Sequence, residues 1–146
     1  MSSPEKPKRV YIADDEPNIR AAIEAFLRNE GFDAIGFDTG DALLDRFASD
    51  PADLVILDVM MPGSNGFVVC RAIRDASTVP IIILTARDTD LDYATGLSIG
   101  ADDFLTKPFS AMALVMRVKA LFRRIDYDRQ AAVLTARADS PQARGE

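Results

Sequence analysis

The stretch Leu54-Val55-Ile56-Leu57-Asp58 decides the fold class, because it is an apolar run that ends in a single aspartate. Short apolar runs of this kind are typical of strands that are buried on both faces of a parallel sheet. Two similar runs, 10–13 and 81–84, are followed by Asp14 and Thr85. In an open α/β sheet, ligands bind just beyond the carboxyl ends of the strands. The polar residues that end these runs are therefore predicted to meet at one site.

The rest of the chain alternates between short apolar runs and amphipathic segments. Strands are predicted at 9–13, 34–37, 54–57, from Pro80 onward, and at 104–106. Helices are predicted from Pro17 to just before Gly31, at about 41–48, 67–74 and 91–99, and after Ser110, the last with Leu114, Val115, Val118, Leu121 and Phe122 on one face. This alternation predicts a doubly wound, five-stranded parallel α/β sheet of order 2-1-3-4-5 with five helices, like that of flavodoxin and CheY.

The composition limits the class of protein. The chain has 146 residues, of which 48% are hydrophobic, and this suits one compact domain. A net charge of −6 argues against a nucleic-acid-binding surface on this segment. The chain has one cysteine, no apolar stretch as long as a membrane span and no apolar leader, so a cytoplasmic location is predicted.

The predicted strand order places three carboxylates side by side. Strands 1 and 3 are neighbours in this order, so Asp14, Asp15 and Asp58 are expected to converge. Packed carboxylates repel one another, and a hard cation with oxygen ligands relieves that repulsion. Mg²⁺ is the expected ion, and Mn²⁺ could replace it. A simpler alternative is that Asp14 or Asp15 only caps the helix that starts near Pro17.

Five short motifs together resemble the receiver domain of bacterial response regulators. They are Asp14-Asp15-Glu16, Leu57-Asp58-Val59-Met60-Met61-Pro62-Gly63, Leu84-Thr85-Ala86-Arg87, Gly100-Ala101-Asp102-Asp103-Phe104 and Lys107-Pro108-Phe109. The resemblance covers residues 8 to about 124. It implies that Asp58 accepts a phosphoryl group from a partner histidine kinase. It also implies that Asp15, Asp58 and the Met60 carbonyl bind Mg²⁺ directly, and that Asp14 binds it through water.

The same resemblance assigns three further residues. Thr85 and Lys107 would contact the phosphoryl oxygens, and Phe104 would rotate inward when Thr85 moves. The Lys107–Pro108 peptide bond would be cis. Taken singly, each residue has an ordinary structural explanation: a threonine that ends a strand, a solvated lysine and a core aromatic. The chemistry supports the resemblance independently, because phosphoryl transfer needs positioning and charge neutralisation around a nucleophile.

The segment 91–124 resembles the OmpR/PhoB group, in which a receiver is joined to a winged-helix DNA-binding domain that controls transcription. Members of this group dimerise on phosphorylation through the fourth helix, the fifth strand and the fifth helix. The residues here that such dimers pair are Asp102, Asp103, Arg117, Lys119 and Arg124. The chain departs from the group at Tyr93, where a basic residue is usual, and at Ala113, where a glutamate is usual.

The predicted domain organisation is an N-terminal tail at 1–8, a receiver at 9–124 and a C-terminal tail or linker at 125–146. No winged helix follows residue 124, so the chain is either part of a longer regulator or a stand-alone receiver. The leading hypothesis is a phosphorylation switch that promotes only its own phosphorylation and dephosphorylation. The alternative is a Mg²⁺-dependent phosphatase-like hydrolase. Such enzymes usually carry an acid two positions after the nucleophile, where this chain has Met60, and this favours the switch.

Overall fold

A computed structural model describes residues 6–86, 95 and 98–139 of the chain. Within these residues the sheet has five parallel strands in the order β2-β1-β3-β4-β5, as the sequence predicts. The strands are β1 (Arg9–Ala13), β2 (Asp33–Phe37), β3 (Leu54–Asp58), β4 (Ile81–Thr85) and β5 (Asp103–Thr106). β3 and β4 are buried at every position, which explains their unbroken apolar sequences.

Three helices connect strands and a fourth follows the last strand, and each begins after a polar capping residue or at a proline. They are α1 (Pro17–Asn29), α2 (Gly40–Ser49), α3 (Gly66–Arg74) and a C-terminal helix (Ala111–Asp139). Thr39 and Asn65 accept hydrogen bonds from backbone N–H groups in the first turns of α2 and α3. Gly31, with φ of 92°, follows α1 in the left-handed conformation that favours glycine. The helix predicted at 91–99 lies largely outside the described residues.

The register of the strands brings the sequence motifs to one edge of the sheet. Ala13 lies beside Leu57, and Asp58 lies beside Leu84. The carboxyl ends of β1, β3 and β4 therefore lie at nearly the same height along the strand direction. β1 ends just before Asp14, β3 ends at Asp58, and β4 ends at Thr85. The core beneath this edge includes Tyr11, whose ring contacts the aromatic rings of Phe37 and Phe47 edge to face.

The C-terminal helix is longer than the sequence predicts. The five apolar residues expected on one face are all buried, and the helix continues to Asp139, into the segment predicted to be a C-terminal tail or linker. The segment 111–139 contains neither glycine nor proline and is rich in alanine, so helix propensity extends it where hydrophobic periodicity is weak. The chain divides into two compact units between Val115 and Met116, inside this helix. None of the described helices is both long and apolar enough to cross a membrane.

Candidate functional site

Three carboxylates converge at the carboxyl edge of the sheet. Asp14 follows β1 and is fully buried, Asp58 ends β3 and is 2% exposed, and Asp15 is exposed to solvent. One oxygen from each carboxylate lies within 4.8 Å of the others. The juxtaposition predicted from the strand order is therefore present in the folded chain. It places one solvent-facing and two buried acidic groups within the span of a single cation.

Lys107 supplies the positive charge of this site. Its Nζ lies 3.0 Å from Asp58 Oδ2, 3.6 Å from Asp14 Oδ2 and 3.7 Å from Glu16 Oε1. The Lys107 backbone N–H donates to the Thr85 carbonyl at 2.7 Å, so the residue is anchored to the end of β4. The Lys107–Pro108 peptide bond is cis, as the resemblance implies. Lys107 is thus a partner of Asp58 rather than a solvated surface lysine.

Asp14 is held at several atoms but not at Oδ2. Its N–H donates to the Phe37 carbonyl, its Oδ1 accepts from the Glu16 N–H at 3.0 Å, and its carbonyl accepts from Arg20 Nη1 at 2.6 Å. Among the described residues, Oδ2 has no hydrogen-bond partner although it is buried. The residue at the N-cap of α1 is Glu16, which makes no side-chain capping bond, so the simpler capping explanation for Asp14 and Asp15 is wrong.

Asp14 Oδ2 has Lys107 Nζ at 3.6 Å but accepts no hydrogen bond, and this provides a test of whether the site suits a cation. A buried polar atom without a partner is costly, and an ion or its bound water would satisfy it. The ligand atoms are also suitable. Mg²⁺ in proteins is usually bound by a few carboxylate oxygens and keeps several water molecules as its other ligands. One ammonium faces several carboxylates here, so the site keeps an excess of negative charge. The residues that the chain places at this edge therefore fit a hydrated divalent cation.

Asp58 is fixed by the loop that follows β3. The Met60 N–H donates to Asp58 Oδ1 at 3.3 Å, and the Gly66 N–H donates to the Val59 carbonyl at 3.1 Å. A Cβ atom at Gly66 would lie 2.4 Å from the Asp58 carbonyl oxygen, so only glycine allows this approach of α3 to the strand end. The loop thereby holds the Met60 backbone next to Asp58, while the Met60 side chain is 66% exposed.

The electrostatics of the pair formed by Asp58 and Lys107 follow from its burial. Burial raises the pKa of Asp58 above its ordinary value, and the charge of Asp14 adds to this effect, although the hydrogen bond from Lys107 opposes it. Burial alone would lower the pKa of Lys107, but the hydrogen bond to Asp58 and the charges of Asp58, Asp14 and Glu16 outweigh it and raise that pKa. Lys107 therefore stays charged, and Asp58 is a carboxylate that desolvation makes more basic.

The remaining predicted residues fall into two groups. Thr85 ends β4 with 3% exposure, beside the strand that leads to Lys107, and Phe104 lies in the buried core with 7% exposure.

The predicted interface residue Asp102 is engaged within the chain, because its Oδ2 accepts from Arg74 Nη2 at 2.9 Å and from the Ile81 N–H at 2.8 Å. Tyr93 lies outside the described residues. Asp103 is half-buried, and its Oδ1 accepts a hydrogen bond from the Phe104 N–H. Among the three basic residues predicted for the interface, Arg117 and Arg124 are exposed, and Lys119 is half-buried.

Sequence reasoning gave no role to three residues of the site. Glu16 lies within ion-pair distance of Lys107, Arg20 binds the Asp14 carbonyl, and Gly66 lies against the Asp58 carbonyl. The signal for Glu16 was its place directly after the acidic pair. Arg20 and Gly66 act on backbone atoms, and a sequence pattern does not reveal such contacts.

The sequence matches the family of response regulator receiver domains over residues 10–119. It is 45% identical to the regulatory protein VanR of Enterococcus faecium over 116 residues, which are 80% of this chain and 50% of that protein. It is 44% identical to the sensory transduction protein RegX3 of Mycobacterium tuberculosis H37Rv over 115 residues, which are 79% of this chain and 51% of that protein. The chain therefore spans about half the length of these relatives.

The fold is similar to that of solved response regulators. The response regulator DrrB, described as an OmpR/PhoB homologue of Thermotoga maritima, aligns with a TM-score of 0.76 and 32% identity. The alignment covers 81% of this chain and 54% of DrrB. Motifs, strand order, site geometry and relatives agree, and the chain belongs to the response regulator receiver domains, in the OmpR/PhoB-like group.

Proposed function

We propose that Asp58 is the phosphoacceptor of this receiver domain and that a sensor histidine kinase is the donor. The observation that carries the proposal is the buried Asp58 carboxylate at the end of β3, with Lys107 Nζ at 3.0 Å and the two other aspartates beside it. A carboxylate whose basicity is raised by burial is a suitable nucleophile. Lys107 is placed to neutralise charge on the incoming phosphoryl oxygens.

The residues suited to hold Mg²⁺ in this proposal are Asp15 and Asp58 directly, the Met60 carbonyl, and Asp14 through water. The buried Asp14 Oδ2, which accepts no hydrogen bond, and the excess of negative charge support a divalent ion, and Mn²⁺ has the same preference for oxygen ligands. When bound, the ion neutralises charge on the transferring phosphoryl group. The residues of the chain orient that group, exclude part of the solvent and present the nucleophile.

The proposed transfer is a displacement at phosphorus. A carboxylate oxygen of Asp58 forms the new P–O bond while the P–N bond of a phosphohistidine breaks, and the bonding electrons leave with the imidazole nitrogen. The chain contains no histidine, so the phosphohistidine belongs to the donor protein. The product is an acyl phosphate that carries about two negative charges beside Lys107 and Thr85. Water later attacks the phosphorus, the P–O bond to Asp58 breaks, and inorganic phosphate leaves the free carboxylate. In this proposal the domain promotes only its own phosphorylation and dephosphorylation and is a switch.

A cleft beside Lys107 supports docking of the donor protein. Its volume is about 480 Å³, and its lining is mostly apolar: Ile19, Ala22 and Ile23 of α1, Pro108 and Phe109, with Asn18 and Lys107 as the polar members and Ala111 at its edge. An exposed apolar surface next to reactive groups is typical of a protein interaction site. A kinase helix seated there would bring its phosphohistidine to Asp58.

The output in this proposal is a change of surface that promotes a homodimer and controls an attached DNA-binding domain. Thr85 would move to hydrogen-bond the phosphoryl group, and the Phe104 side chain would then rotate inward. The dimer would use the fourth helix, the fifth strand and the fifth helix, with Asp103, Arg117, Lys119 and Arg124 as charged contacts. Asp102 would join only by exchanging its Arg74 partner. The relatives are named a regulatory protein and a sensory transduction protein, and these names support a role in signal-dependent regulation.

Mass spectrometry after incubation with acetyl phosphate and Mg²⁺ tests the proposal. We expect one added phosphoryl mass, which EDTA and Asp58→Asn should each abolish. Asp53→Asn is the matched control, because this aspartate lies before β3, at the opposite edge of the sheet. Undiminished labelling of Asp58→Asn would contradict the assignment. Sustained hydrolysis of small phosphate esters, instead of a single burst, would favour a phosphatase.

A further inference from the structure

One arginine of α1 contacts the loop that carries the acidic pair. Arg20 Nη1 donates to the carbonyl oxygen of Asp14 at 2.6 Å, across six residues of chain. This bond is short, and its donor is charged, so it belongs to the stronger class of hydrogen bonds. The same peptide segment bears the Asp14 and Asp15 side chains. A displacement of this carbonyl would therefore move both carboxylates relative to Asp58.

The start of α1 has no side-chain cap. Glu16 is the N-cap residue, and its side chain makes no capping hydrogen bond. The Glu16 N–H is directed instead to Asp14 Oδ1. Arg20 is a side chain of α1 that reaches back to this loop.

The neighbouring strand leaves room for this arginine. A Cβ atom at Gly36 of β2 would lie 2.9 Å from Arg20 Cγ and 1.8 Å from Glu24 Oε1. The absence of a side chain at Gly36 therefore lets Arg20 and Glu24 pass over β2. The Arg20 stem is consequently packed against a strand, and its guanidinium is not a freely solvated group.

We propose that Arg20 is a positioning residue for the cation site: it fixes the β1–α1 loop so that Asp14 Oδ2 and Asp15 face Asp58. This inference rests on the proposed Mg²⁺ site. The hydrogen bonds at the Asp14 N–H, carbonyl and Oδ1 leave Oδ2 as the atom available to the ion or its water. Arg20 makes no contact with the ion itself. Its effect on the ion is carried through the loop backbone.

The test compares Arg20→Met with Arg28→Met in the full chain. Arg28 is a matched control, because it lies on the same helix and also donates to a backbone carbonyl, that of Ala34, at 2.8 and 3.1 Å, far from the carboxylates. Mg²⁺ affinity is measured by calorimetry, and the free energy of unfolding is measured in EDTA. Residues that orient metal ligands typically contribute 10–100-fold in affinity. We expect Arg20→Met to weaken Mg²⁺ binding roughly tenfold or more, and Arg28→Met to leave it unchanged.

Two further measurements separate positioning from a general structural role. Arg20→Lys keeps a charged donor and should recover part of the lost affinity. A structural arginine would lower stability in EDTA in both methionine variants without changing the Mg²⁺ affinity of the folded protein, and that result would overturn the inference. If the wild-type chain binds no Mg²⁺, or if Asp15→Ala does not reduce its binding, the proposed metal site itself fails. Equal affinity of wild type and Arg20→Met would refute only the role of Arg20.

Discussion

Lys107 Nζ and Asp58 Oδ2 lie 3.0 Å apart although 49 residues separate them in the sequence. Each belongs to the end of a different strand, and the two strands are not neighbours, because β4 lies between β3 and β5. The Lys107 N–H donates to the Thr85 carbonyl, and this hydrogen bond anchors the lysine at the end of β4. This ion pair is therefore a sensitive reporter of the whole edge of the sheet.

Lys107→Met should slow phosphorylation of Asp58 by about 100-fold or more, because it removes the charged donor that faces the transferring oxygens. The measurement is the rate of phosphoryl mass gain with acetyl phosphate and Mg²⁺. Lys6→Met, which changes an exposed lysine, is the control and should keep the wild-type rate. An unchanged rate in Lys107→Met would exclude this role for the lysine.

Asp58→Asn should stabilise the protein when divalent ions are absent. The folded-state pKa of Asp58 is raised, chiefly by burial, so the folded chain binds this proton more tightly than the unfolded chain does. The stabilisation due to the proton is complete below the unfolded pKa of about 3.9 and is lost as pH rises through the folded pKa. At about pH 7 the ionised carboxylate therefore lowers the free energy of unfolding.

Urea denaturation of wild type and Asp58→Asn across the pH range measures this effect. We expect Asp58→Asn to be more stable than the wild type at neutral pH, because the mutant carries no buried charge at this position. The difference in the free energy of unfolding between mutant and wild type should shrink as pH falls toward the ordinary pKa of aspartate. Mg²⁺ should also reduce this difference, because it should stabilise only the wild type. A mutant that is less stable than wild type in EDTA at neutral pH would show that the Lys107 pair outweighs the cost of burial.

Gly66→Ala should lower both stability and Mg²⁺ affinity, because its Cβ would lie 2.4 Å from the Asp58 carbonyl oxygen. We expect a loss of about 1–3 kcal/mol, as for other overpacked sites. Gly31→Ala is the control: it has a positive φ but nothing within 4 Å of its Cβ, so it should cost stability and leave Mg²⁺ binding intact. Calorimetry would separate the two effects. Wild-type Mg²⁺ affinity in Gly66→Ala would mean that the loop can move without disturbing the site.

Asp102→Asn should destabilise the unphosphorylated monomer. The Asp102 carboxylate joins the Ile81 N–H to Arg74, whose guanidinium also donates to the Gly100, Ser77 and Val79 carbonyls. Hydrogen bonds to charged groups contribute about 1.5–3 kcal/mol, so a comparable loss is expected by denaturation. Asp75→Asn, at the end of α3, provides a surface control. An unaltered midpoint in Asp102→Asn would leave this aspartate available for the predicted dimer.

Arg117→Glu should weaken the phosphorylation-dependent dimer without blocking phosphorylation of Asp58, because the two sites are coupled only thermodynamically. Exposed ion pairs contribute about 0–1 kcal/mol each, so the association should be modest and sensitive to salt. Sedimentation with a beryllium fluoride mimic measures it, and Arg71→Glu on α3 is the control. A monomeric activated wild type, or a dimer indifferent to Arg117→Glu, would exclude this surface.

The sheet and the reactive edge were predictable because buried parallel strands have an unmistakable sequence. β3 and β4 are apolar throughout, and the residue that ends or follows such a strand must lie at the carboxyl edge. The contact between Arg20 and the Asp14 carbonyl, in contrast, has no signal in the sequence pattern. The sequence therefore indicated which side chains meet, Lys107 included, whereas the backbone contacts made by Arg20 and Gly66 became visible only in the folded chain.

The C-terminal helix shows a second limit. Its first part has an apolar face that predicts a helix, but residues 126–139 are held in the same helix without such a face. Hydrophobic periodicity detects helices that pack, and it misses segments in which alanine and arginine only favour the conformation. Asp102 is a comparable case, because its acidic character suggested an intermolecular contact while Arg74 occupies it within the chain.

The hydrogen bond from the Lys107 N–H to the Thr85 carbonyl determines what kind of signal Thr85 can send. With its carbonyl bonded to Lys107 and its strand paired on both sides, the main chain of Thr85 acts as a fixed pivot. The remaining freedom is rotation about χ1, and a β-branched side chain occupies discrete staggered positions. A response carried by Thr85 is therefore a change between discrete χ1 rotamers of its hydroxyl, and the backbone of β4 stays in place.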